Sequence, residues 1–158
     1  MQHGWIAGLG LMALAAGGGT YAVAQVSSQP ANPQQVVTER RDGLKAMGAH
    51  MEAMAAIARS GGDPRPAVAR IEELERFFST FATRFPEGTA MGSPGIDSKA
   101  LPAIWQNKAD FERLPGGVIA RLATLKQAAA AGDTAAFAPA LQATGAACGE
   151  CHRPYRSR

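Results

Sequence analysis

The chain has 158 residues, 46% hydrophobic and 18% charged, which allows one domain with a buried core and excludes an intrinsically disordered chain. Alanine and glycine are abundant and β-branched residues few, so helix is favoured over sheet. The formal charge of +3, with no lysine–arginine cluster and no aromatic platform, argues against nucleic acid as a partner.

Residues 1–24 contain no Asp, Glu, Lys or Arg. An apolar run from Trp5 to Ala16 leads to Ala22-Val23-Ala24, an A-x-A cleavage pattern. This reads as a secretory signal peptide cut before Gln25, which would place the mature protein in the periplasm. A retained membrane anchor is the alternative. Five glycines among residues 8–19 and the short apolar run weigh against it. Residues 25–35, QVSSQPANPQQ, read as a polar lead-in, and 36–158 as the folded domain.

From Val36 the pattern turns helical. Val37, Arg40, Leu44, Met47, Met51 and Met54 fall on one face of a first helix, which should stop at Ser60-Gly61-Gly62-Asp63-Pro64. Ile71, Leu74, Phe78, Phe81 and Phe85 trace a second, ending before Pro86. Residues 86–101 form a long loop bearing glycine and proline, a crossover or a cap over something. A third helix from Pro102 or Trp105 to Ala131 buries Phe111, Leu114, Val118, Leu122 and Leu125. The LPGG stretch at 114–117 should kink or break it. Gly132-Asp133 marks a tight turn into a fourth helix carrying Phe137, Leu141, Thr144, Cys148, Cys151 and Tyr155 on one face. The fold class expected is all-α, an antiparallel four-helix bundle.

Both cysteines of the chain sit in that last helix, as C-G-E-C-H at Cys148, Cys151 and His152. Positions i, i+3 and i+4 share a helical face, so two thiols and an imidazole project together. Two thiols can add to the two vinyl groups of a haem while the imidazole ligates the iron; C-x-x-C-H is the attachment signature of c-type haem. A thiol–disulfide pair would normally open a helix beside a strand, and nothing here alternates strand and helix. A structural disulfide would close a very short loop and stabilise little. A zinc site lacks a fourth ligand near in sequence, since His50 is far away. The cofactor expected is therefore one covalent haem c per chain, with His152 as the metal ligand. A methionine or histidine opposite gives a closed iron suited to electron transfer; an apolar residue leaves an open position for a small ligand. No carboxylate pair, nucleophile beside a base or second metal set points to an enzyme.

With VVTERRDGLKAMGAHM in the first helix, FPEGT after the second, PAIW opening the third and CGECHRPYR at the end, the chain resembles the cytochrome c′ family. The resemblance implies that Leu44 lies over the distal face of the haem, where low-spin relatives carry a ligating methionine. Five-coordinate iron that admits nitric oxide or carbon monoxide follows; a six-coordinate electron carrier using Met47 is the alternative reading. Met47, Met51 and Met54 are otherwise core filler. By the same resemblance Arg40 contacts the propionate region, Phe85 borders the distal pocket, Trp105 packs near the haem edge and Arg156 stands beside the proximal ligand. Arg40 could instead snorkel to solvent, and Phe85 and Trp105 could be plain packing residues. Pro154 should bend or end the helix between His152 and Arg156. Relatives are often homodimers packed through the first two helices. The redox partner is not legible.

Overall fold

The computed structural model describes residues 32–158. The signal-peptide reading of residues 1–24, and most of the polar lead-in, lie outside the described residues. The helix α1 runs Pro33–Ser60, α2 Val68–Ser79, the single-turn α3 Ala103–Gln106, α4 Lys108–Ala131 and α5 Thr134–Tyr155. Among the described residues no helix is long and apolar enough to cross a membrane.

The helix α1 starts three residues earlier than the apolar pattern indicated. Asn32 is the reason: its side chain accepts the Gln34 N–H at 2.9 Å, and Pro33 fits the first turn, where no N–H is needed. It ends at Gly61, whose φ of 65° closes the last turn. The second helix stops at Ser79 rather than running on to Phe85. Thr80 leaves helical geometry at φ −118°, and the chain resumes as a 3₁₀ turn at Phe81–Arg84. Both segments still bury their share of the stripe, Ile71, Leu74 and Phe78 on one and Phe81 on the other.

The LPGG stretch does not break α4. The helix passes through Pro115 without interruption. Proline there lacks the N–H that would bond the Phe111 carbonyl, and proline plus two glycines costs about 5 kcal/mol relative to alanine. Against this, Phe111, Pro115, Val118, Leu122 and Leu125 are buried, and each large apolar side chain removed from water contributes about 1.5–3 kcal/mol. Burial outweighs propensity, so the helix persists. At its end Gly132 (φ 71°) turns the chain, with the Arg65 guanidinium lying where a Cβ would project. Asp133 then caps α5 by accepting the Ala136 N–H at 2.9 Å.

The four long helices close a ring: α4 packs on α5 and on α2, and α1 completes it against α5 and α2. One end is filled by aromatic rings packed edge to face. Phe81 meets Phe85 at 5.1 Å, Phe85 meets Phe111 at 4.7 Å, and Phe111 meets Tyr155 at 5.4 Å between centroids. Residues 86–101 fold back on the end of α5. Ala100 bridges antiparallel to Arg156, the Leu101 N–H donates to the Tyr155 carbonyl (3.0 Å), and the Ser157 N–H donates to that of Lys99 (2.9 Å).

Candidate haem-binding site

Cys148, Cys151 and His152 share a face because α5 stays helical through them. All three line a cavity of about 570 Å³, within the range usual for a cofactor site. Phe78 and Phe81 wall it from the α2 side, and Phe111, Leu114, Pro115 and Val118 from α4. Val37, Arg40, Leu44 and Lys45 come from α1, and Asp97 to Ala100 from the loop.

Both thiols are free and half-buried. Burial raises them, Cys151 to about 11 with the neighbouring Cys148 adding to it, so both are neutral near pH 7. Burial, and then the Arg156 charge, holds His152 below the usual imidazole range. A neutral imidazole is the form that ligates a metal. Among the described residues no group of three or more His, Cys, Asp or Glu is placed to hold a bare ion. Two neutral thiols beside a neutral imidazole, at the edge of a roomy cavity walled by aromatic rings, fit a covalently bound porphyrin.

The chain matches the Cytochrome C' family over residues 35–156. The chain belongs to the cytochrome c′ family. It is 36% identical to the cytochrome c' of Pararhodospirillum photometricum over 128 residues, 80% of this chain and 99% of that one. Cytochrome c-556 of Agrobacterium fabrum is 38% identical over 122 residues, 75% of this chain and 79% of its own. Among solved structures, the nitric oxide complex of a mutant cytochrome c prime from Alcaligenes xylosoxidans superposes with a TM-score of 0.69 at 26% identity. That match covers 82% of this chain and 99% of the other. Cytochrome c′ proteins carry covalently bound haem c, and this chain is a c-type haem cytochrome with a four-helix bundle.

On this cytochrome c′ frame, Arg40, Leu44, Phe85, Cys148, Cys151, His152 and Arg156 all line the one cavity. Met47 and Trp105 do not. Met47 is 9% exposed and belongs to the apolar core; three residues past Leu44, it stands about 4.5 Å further along the axis, beyond the cavity wall. Trp105 backs Phe85 (centroids 6.5 Å apart) instead of facing the cavity, and its buried indole N–H has no acceptor among the described residues. Met51 and Met54 pack in the core, and His50 lies 3.4 Å from the Arg70 guanidinium, away from the cavity.

Arg40 does not snorkel. It is 5% exposed, its guanidinium sits 4.2 Å over the Phe85 ring, and burial brings it down to about 10, so it stays charged at neutral pH. Its partners lie in the 3₁₀ turn and the loop that follows it: the Arg84 and Thr89 carbonyls and the Thr89 and Ser98 hydroxyls, at 3.0–3.3 Å. Thr89 and Ser98 were not singled out from the sequence; a long polar loop next to a buried arginine was the available signal. The helix α5 passes through Pro154 and ends at Tyr155, between His152 and Arg156 as expected. Arg156 is extended, donates its N–H to the His152 carbonyl at 3.1 Å, and still reaches the cavity.

Proposed function

We propose that this chain is an exported, periplasmic c-type haem protein whose iron keeps one axial position free for a small neutral gas, nitric oxide or carbon monoxide, with single-electron transfer as a second use of the same iron. The observation that carries this reading is the make-up of the cavity wall: it includes Leu44 and one histidine, His152, and no methionine. Haem joined to Cys148 and Cys151 supplies an iron that can bind a diatomic ligand.

The chain's own side chains set the terms. His152, kept neutral, offers a nitrogen lone pair from α5. Leu44 offers no lone pair, so nothing from its position closes the opposite side. With Phe78, Phe81 and Val118 it makes an apolar stretch of the wall, which favours a small neutral ligand over a charged one. The nitric oxide complex solved for the similar mutant protein supports this choice of ligand. The six-coordinate alternative needs Met47 to leave the core, and no contact in the structure favours that. Export rests on the A-x-A pattern at residues 22–24. A homodimer through α1 and α2 completes the reading.

Titrating the reduced protein with carbon monoxide tests it. A saturable change in the haem absorption bands is expected. A reduced spectrum indifferent to carbon monoxide overturns the reading in favour of a closed electron carrier.

A further inference from the structure

We propose that Arg40 is a positioning residue: acting through the loop 86–101, it fixes the end of α5 and thereby the orientation of His152. The proposal rests on the reading of His152 as the iron ligand.

The guanidinium has five N–H groups, and the loop region takes four of them. Nη1 donates to the Arg84 carbonyl (3.2 Å) and to the Thr89 hydroxyl (3.3 Å). Nη2 donates to the Thr89 carbonyl (3.2 Å) and to the Ser98 hydroxyl (3.0 Å). Only Nε–H is left for any other acceptor. A buried cation on α1 thus grips two points of the loop nine residues apart, with no carboxylate among its partners.

The grip continues across the molecule. Ser98 Oγ also accepts the Ala100 N–H at 3.1 Å, which holds the segment that pairs with the chain end. There Leu101 N–H meets the Tyr155 carbonyl and Ser157 N–H meets the Lys99 carbonyl, one on each side of Arg156. Those bonds matter because Pro154 has no N–H for the Glu150 carbonyl, so the last turn of α5 is one helix bond short. Arg156, held between them, donates its own N–H to the His152 carbonyl. Hydrogen bonds and a short run of backbone therefore link Arg40 to Ser98, to Ala100, to the chain end and to His152.

A simpler role for Arg40 is counter-ion to a haem carboxylate. The two roles part at Ser98 and at lysine. Ser98→Ala removes one link of the chain and no charge. Arg40→Lys keeps the charge but cannot fork to four acceptors.

The test uses the haem-loaded protein, wild type against R40Q, R40K and S98A. Backbone amide exchange is read at Leu101 and Ser157, and the iron–histidine stretching band by resonance Raman of the reduced form. The clamp predicts exchange faster by at least about ten-fold at both amides in R40Q and R40K, a smaller acceleration in S98A, and a shifted or broadened band in all three. Rescue by R40K with S98A unchanged overturns it and leaves a counter-ion. Faster exchange in the loop with Ser157 and the band unmoved also overturns it, leaving a loop staple that does not reach His152. Should the arginine variants fail to take up haem, S98A decides alone. If wild type shows no iron–histidine band, the ligand reading falls, while exchange at Ser157 still decides whether Arg40 holds the chain end.

Discussion

Leu44 on α1 and His152 on α5 wall the same cavity, whereas Met47, three residues beyond Leu44, is packed in the core away from that wall. The helical repeat turns a separation of three residues into about 4.5 Å, enough to divide a cavity-lining position from a packing one. On the proposed reading, the chemistry open to the iron depends on which of the two positions carries sulfur.

Exchanging the sulfur tests that division. Leu44→Met brings a thioether to the wall, and a six-coordinate, low-spin protein with carbon monoxide affinity lower by at least about ten-fold is expected. Met47→Leu should leave spectrum and affinity alone and cost under about 1.5 kcal/mol in urea unfolding. Loss of the wild-type spectrum in the second variant would make Met47 a ligand.

Replacing Cys148 and Cys151 together by serine should abolish covalent haem. In-gel haem staining after denaturing electrophoresis reads this directly: wild type stains and the double variant does not. Retained staining would place the attachment elsewhere.

Glycine is not needed at 116 and 117. Both lie in a continuous helix, neither has positive φ, and an added Cβ would meet nothing closer than the Arg121 guanidinium at 3.7 Å. Gly116→Ala and Gly117→Ala should each stabilise the protein by about 1 kcal/mol. Gly43→Ala should do the reverse by about 1–3 kcal/mol, because its Cβ would strike the Phe77 ring packed against α1. Thermal denaturation separates the two signs.

Asp63 should give the protein an acid-sensitive turn. Its carboxylate accepts the Arg65 N–H at 3.0 Å, and this bond, with the Arg65 charge, holds it below its ordinary value of 3.8. A carboxyl depressed on folding adds stability that is present above the unfolded value and is lost as pH falls through the folded one. Urea midpoints followed downward from neutral pH should therefore fall more steeply for wild type than for Asp63→Asn. Parallel curves would show that the turn contributes nothing to the acid limb.

The bundle was legible because helical periodicity is local: alternating steps of three and four mark each buried face whatever it packs against. The attachment motif was legible for the same reason, its three residues lying within one turn and a fraction. Long-range contacts left no such trace. Thr89 and Ser98 find Arg40 across 49 and 58 residues of sequence, and no spacing rule announces that. Pro115 illustrates the opposite limit. Its local signal was strong and pointed to a kink or a break, but with α4 packed against α2 and α5 the helix runs on unbroken. Met47 shared the stripe of Leu44, and only the position of the cavity along α1 separates their environments.

Electron paramagnetic resonance of the oxidised protein, as purified with its haem, tests the central claim most directly, because it reports the spin state that the axial ligands impose. With Leu44 contributing no bond, a high-spin ferric signal is expected, and it should persist in Met47→Leu. A purely low-spin signal in the wild type would mean that a second protein atom occupies the iron, and would contradict the account.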